Sequence, residues 1–102
     1  MIRIYDAAYE NDNGTHHSHL STFWWVDEYG NTGTWTRQQA YNFVVANPNT
    51  VYVSEGNASV TVLPYYFTNN PNVQWIQTVA DGIIRDNLTQ LAIRHRQGLV
   101  NR

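Results

Sequence analysis

Short runs of β-branched and aromatic residues alternate along the chain with clusters rich in asparagine and glycine. The clusters "ENDNG", "YGNTG", "NPNT", "EGN" and "TNNPN" fall where turns are expected. Asparagine bonds to its own local backbone and, with glycine, tolerates left-handed conformations. Between them, Ile2 to Tyr5 predicts a first strand and His16 to Val26 a longer second one. "DEYGNTG" then closes a hairpin into Thr34–Trp35. Val51–Ser54 and Ser59–Phe67 flank "EGNA", a second hairpin signal. Pro64 has no N–H to give a ladder, so it implies an edge or bend late in that arm. Val73 to Val79 reads as a further strand, turning at "ADG" toward Ile83–Arg85.

Two segments carry a helical period instead. Thr36 followed by Gln39 is a capping-box pattern, and "RQQAYNFVVAN" places Ala40, Phe43 and Val44 on one face. "NPN" ends that helix. In "NLTQLAIRHRQG", Leu88, Leu91, Ala92, His95 and Leu99 recur at helical spacing. Asp86 or Asn87 can cap its start and Gly98 its end, with arginines in the last turns suiting the dipole. The expected fold is α+β: a mostly antiparallel sheet with one or two helices packed on it. At 102 residues there is room for one core, so residues 1–102 are read as a single domain.

Composition narrows the function classes. Cysteine is absent, which excludes disulfides, thiolate nucleophiles and Cys-type zinc sites. The chain has four Trp, seven Tyr and three Phe, and each large ring buries about 150–250 Å². With a modest aliphatic set, these rings must supply core, interface or ligand contact. No run approaches the roughly 20 apolar residues of a membrane span, and "MIRIYDAAYE" has no signal-peptide character. A soluble, cytoplasmic protein with no membrane partner is expected. The net charge of −2 provides no basic field for general nucleic-acid binding. All six basic residues are arginine, the side chain suited to bidentate contact with phosphate or carboxylate and to stacking on rings.

The stretch "THHSHLSTFWW" raises the sharpest chemical question. On a strand, His17 and His19 would share one face with Ser21, Phe23 and Trp25, and two imidazoles at i and i+2 can chelate a metal. A third ligand would have to come from His95 or a remote carboxylate, and no HExxH spacing supports that. The expectation is no metal and no cofactor. A phosphodiesterase reading would pair His17 or His19 with His95 as base and acid, with an arginine for developing charge. No GxSxG elbow, phosphate-cradling glycine loop or recognisable carboxylate pair accompanies it. Half-exposed strand histidines, and a core or interface role for His95, are the plainer reading.

Two segments together resemble a family. "HSHLSTFWWVDEYGNTGTWTR" is similar to an H-x-H, Trp-containing strand followed by a glycine turn and a Thr-Arg helix start. "WIQTVADGIIRDNLTQL" is similar to an aromatic strand leading into A-D-G-x-x-x-D-N-L. These motifs resemble those of small bacterial and phage proteins classed as a domain of unknown function. The resemblance covers most of the chain in order and departs after D-N-L, where this chain continues into "RHRQGLVNR". It implies a fold and a bacterial or phage origin, and no chemistry.

By analogy alone, small cysteine-free phage anti-defence proteins include sponges that sequester cyclic dinucleotides or cyclic ADP-ribose isomers. Their sites combine aromatic stacking, arginine on phosphate, and asparagine on ribose or base edges. The corresponding expectation is a non-enzymatic binding protein, a homo-oligomer, with a small nucleotide ligand. Its candidate residues are Arg37, Arg85 and Arg94 for phosphate, Asn87 for polar contact, Trp25 and Trp75 for stacking, and His17 and His19 beside the pocket. Arg37 stands out because a helix start itself favours anions, whereas Asn87 or Asp86 can equally be caps. The alternatives are a protein-interaction module that binds a host protein and the His-dependent phosphodiesterase.

Overall fold

A computed structural model of the chain describes residues 1–10, 17–55, 58–80, 83–85, 88, 91–93 and 95. Its strands are β1 (Ile2–Tyr9), β2 (Leu20–Asp27), β3 (Thr32–Thr36), β4 (Val51–Glu55), β5 (Ala58–Phe67), β6 (Asn70–Ala80) and β7 (Ile83–Arg85). They form one sheet in the order β3-β2-β1-β4-β5-β6-β7. Helix α1 spans Arg37–Ala46. Leu88, Leu91–Ile93 and His95 are also helical, in the segment where the second helix was expected. Its expected caps, Asp86, Asn87 and Gly98, lie outside the described residues.

The sheet consists of two antiparallel meanders, β1-β2-β3 and β4-β5-β6-β7, placed side by side. They meet where β1 runs parallel to β4, with Ile2 opposite Val51 and Arg3 opposite Tyr52. The sheet is therefore mixed rather than purely antiparallel, and α1 is the physical reason. A ten-residue helix rises about 15 Å, close to the length of a five-residue strand at about 3.3 Å per residue. It carries the chain from the end of β3 back to the end where β1 starts, so β4 must run alongside β1 in the same direction.

The local chemistry of α1 is as the sequence implied. The Thr36 hydroxyl accepts from the Gln39 backbone N–H, and the Gln39 side chain accepts from the Thr36 N–H. Ala40 and Val44 are buried, and Phe43 packs on the same core. Asn47 ends the helix with its backbone N–H on the Phe43 carbonyl. In β5, Pro64 pairs with Ile76 of β6, beyond Thr61 where the β4 pairing stops. Among the described residues, that stretch of β5 has one partner strand, the setting a missing N–H requires.

One expectation is overturned. The residues from His17 to His19 form a single 3-10 turn, and the strand begins only at Leu20. A regular strand through this region would put Leu20 and Phe23 on opposite faces, yet both are fully buried in one core. The register shift between Ala8–Thr22 and Tyr9–Leu20 reconciles them: Ser21 is a bulge, and its extra residue resets the alternation. A matching bulge at Tyr5 lets Ile4 and Ala7 share the same side of β1. Burial of apolar side chains thus outweighed period-2 regularity.

The core lies between the sheet and α1, with Ile4, Ala7, Leu20, Phe23, Val51, Val53, Val62 and Ile76 meeting Ala40 and Val44. Helix α1 touches β2 and β3 at one side and β5 and β6 at the other, so the sheet curves around it. Asp6 and Trp24 pair across β1 and β2 on the face opposite Phe23. There, His95 stacks on Trp24 at 5.0 Å and bonds through Nδ1 to Asp6 Oδ2 at 2.9 Å.

Candidate functional site

The start of α1 gathers a cluster of polar groups beside an open depression. The capping box uses the backbone N–H groups of Thr36 and Gln39. The backbone N–H groups of Arg37 and Gln38, in the first helical turn, are left to face a ligand or water. The Arg37 guanidinium donates to the Ser18 carbonyl, which ties the 3-10 turn to the helix start. A guanidinium carries five N–H donors, so this tether leaves donors to spare. Ser21, turned by its bulge, sits beside Thr22 with their hydroxyls 3.4 Å apart. Glu10 arrives from the other side, its backbone N–H bonded to the His19 carbonyl at 2.8 Å.

Glu10, Ser21, Thr36, Arg37 and Gln38 together line an open depression of about 220 Å³. The Gln38 amide is already engaged, donating to Asn42 and to Gln74 of β6, so that wall is fixed in place. The residues lining the depression carry one cation, one carboxylate and two hydroxyls, next to the first-turn amides of α1. Such a set can hold an anion and, beside it, a hydroxyl-bearing group.

Of the expected residues whose side chains are described, Arg37 alone lines this depression. His19 is exposed on the 3-10 turn and not on a strand, and His17 lies in the same turn with its side chain outside the described residues. The shared strand face proposed for the pair is therefore replaced by a turn, for the packing reason given above. Among the described residues no group of three or more His, Cys, Asp or Glu side chains could hold a metal ion.

Trp25 packs against Trp35 at 5.5 Å with its indole over Gly33, and Trp35 in turn meets Phe43 of α1. Trp75 is only 6% exposed, stacked on Tyr65 and tilted against Phe67. Both rings are committed to packing rather than lining the depression. Arg85 pairs through its backbone with Thr78, its side chain outside the described residues, as are Asn87 and Arg94 altogether.

Sequence reasoning missed Glu10, Ser21 and Gln38. Glu10 was hidden inside a turn cluster, and a bulge leaves no mark on the pattern at Ser21. Gln38 could have been placed, because the capping box fixes which residues open the helix.

In the β2–β3 turn, the Asp27 carboxyl is pulled in two directions. Partial desolvation pulls its pKa upward. The hydrogen bonds from the Asn31 side chain and from the Asn31 and Tyr29 backbone outweigh it and hold the carboxyl below its ordinary value. No helix among the described residues is long and apolar enough to cross a membrane. No protein-family model matches the chain, and no curated protein or solved structure matches it either.

Proposed function

We propose that the chain is a non-enzymatic binding protein that sequesters a small phosphate-bearing nucleotide at the depression ahead of α1. The ligand class is the cyclic dinucleotides or cyclic ADP-ribose isomers, and a phage or prophage origin belongs to the same reading. The observation that carries it is that an arginine and a glutamate, with a serine and a threonine, line one open depression at a helix start. Arg37 and the free amides of the first turn match a phosphate. A carboxylate is the acceptor that ribose hydroxyls take, and in this reading Glu10 supplies it. At about 220 Å³ the depression is smaller than the roughly 300–1,000 Å³ of sites that enclose a drug-sized ligand. It holds a phosphoryl and sugar portion while a base extends over the surface.

Capture and release tests this reading. Purified protein is incubated with a panel of cyclic dinucleotides and cyclic ADP-ribose isomers, freed of unbound ligand and denatured by heat. Mass spectrometry then identifies what is released. Intact nucleotide at near one equivalent per site is expected, with a rise in melting temperature on binding. Arg37→Gln and Glu10→Gln should each weaken capture about tenfold, the loss of one charge-assisted contact. Release of nothing across the panel overturns the proposal, and release of a hydrolysed product replaces it with the phosphodiesterase.

A second reading, a module that binds a host protein, is favoured by a separate observation. Tyr29 in the β2–β3 turn is 82% exposed, and Tyr5, Tyr66 and Phe67 are also exposed. Aromatic residues of this kind are common anchors in protein interfaces. A binder of proteins alone would show no thermal response to any nucleotide in the panel.

A further inference from the structure

The outer edge of β3 carries a set of backbone groups that fits a second copy of itself. β3 is the last strand of the sheet on its side, and its sequence T-G-T-W-T holds no charge, proline or bulge. Those are the devices that usually protect an edge. The phase of the β2–β3 ladder is set at the turn, where the Asp27 N–H donates to the Asn31 carbonyl at 2.9 Å. Hydrogen-bonded and non-bonded pairs alternate from there. Trp25–Gly33 and Phe23–Trp35 are therefore the pairs that exchange bonds. Val26–Thr32, Trp24–Thr34 and Thr22–Thr36 are the pairs whose N–H and C=O groups on β3 point away from β2. The Thr36 N–H confirms this phase, since it is taken by the Gln39 side chain.

The outward groups of Thr36 are thus spent, its N–H on Gln39 and its carbonyl on opening the helix. Among the described residues, what remains open on the edge is the N–H and C=O of Thr32 and of Thr34, both exposed residues. We propose that β3 pairs antiparallel with β3 of a second copy about a two-fold axis at Gly33. In this register Thr32 lies opposite the second copy's Thr34. Each N–H meets the other's C=O, and the symmetric pair repeats it, so all four open groups on each edge are satisfied. Gly33 faces its own copy across the axis as a non-bonded pair, where Cα atoms approach to about 4.5 Å. The side of Gly33 that a Cβ would fill is already occupied by the Trp25 indole, so a glycine suits that close approach. Centring on Thr34 instead would set Thr32 against the spent groups of Thr36. The inference stands apart from the ligand reading, because Thr32, Gly33 and Thr34, which make the seam, are not among the residues lining the depression.

Analytical ultracentrifugation of the untagged chain over a wide concentration range tests it. A reversible monomer–dimer equilibrium is expected, and amide exchange of Thr32 and Thr34 should slow as concentration rises while that of Gly33 stays constant. Thr32→Lys with Thr34→Lys sets like charges opposite each other and should raise the dimer dissociation constant at least tenfold. Thr32→Lys with Thr34→Glu sets opposite charges across the axis and should preserve the dimer. Thr34→Glu alone should also preserve it, whereas an axis at Thr34 would make that variant repel itself. A monomer at every concentration overturns the proposal, as does a dimer indifferent to Thr32→Lys with Thr34→Lys. The exchange measurement on the unaltered chain decides the matter even if a variant fails to fold.

Discussion

Two tryptophan clusters lie on opposite faces of the same sheet, and they are finished differently. On the α1 face, Trp25, Trp35 and Phe43 form a chain of rings from β2 through β3 to the helix. On the other face, Trp75 lies among Tyr65 and Phe67, since its neighbour Gln74 reaches back to Gln38 of α1. The Trp75 indole N–H donates to Gln77 Oε1 at 2.8 Å, from a residue two positions along on the same face. The Trp25 indole N–H is buried without a partner among the described residues. Two positions along from Trp25 lies Asp27, whose carboxylate is turned to the hairpin and bonded to Tyr29 and Asn31. One cluster satisfies its polar atom locally. The other gives up that bond so that the acid can shape the turn, and gains a flat seat on a glycine.

The contrast can be broken most forcefully at Trp75. Trp75→Ala should cost about 3–5 kcal/mol in chemical denaturation, because the ring fills a nearly closed site. Gly33→Ala comes next. The added Cβ would stand 2.5 and 2.8 Å from two Trp25 ring carbons, and that indole is backed by Trp35, so overpacking of about 1–3 kcal/mol is expected. A Gly33→Ala protein as stable as the parent would show that the indole has somewhere to go.

The two indole N–H groups sharpen the comparison. Gln77→Leu should cost about 1–3 kcal/mol, since it strands a buried donor. Trp25→Phe should change stability by less than about 1 kcal/mol, because the N–H it deletes was unsatisfied and that relief offsets the smaller ring. Equal losses for the two variants would mean that the Trp25 N–H is satisfied in solution. The smallest effect is expected from acid. The Asp27 carboxyl titrates below its unfolded value, so its support for the β2–β3 turn is fully present above the unfolded pKa. That support is lost as pH falls through the lower folded pKa. Backbone NMR shifts of Tyr29 and Asn31 should follow that titration, and Asp27→Asn should abolish it.

How legible the chain was varies by element. The capping box at Thr36 and Gln39 was readable because it is a contact between residues three apart, made by any chain that starts a helix there. The hairpins were readable from their turn residues, down to Gly30 with its φ of 86° in the three-residue loop. The histidine stretch was misread because a bulge cannot be seen in a period-2 pattern. Ser21 was displaced by the need to bury Leu20 and Phe23 together, and that need arises only when β1 and α1 are in place. The depression was half legible for a similar reason. Arg37 followed from the helix start, but Glu10 and Ser21 reach it through the β1–β2 register.

The sequence by itself determined the local grammar: an all-arginine basic set, no thiol chemistry, strands punctuated by asparagine turns, and a helix capped at Thr36. These follow from interactions within a few residues, which the order of side chains specifies directly. Tertiary structure alone decided the parallel seam between β1 and β4, the bulges at Tyr5 and Ser21, and the ring pairs that close each face. It also decided that His95 would meet Asp6 from 89 residues away. Those features depend on which apolar surfaces are buried against one another, a choice made by the whole core at once.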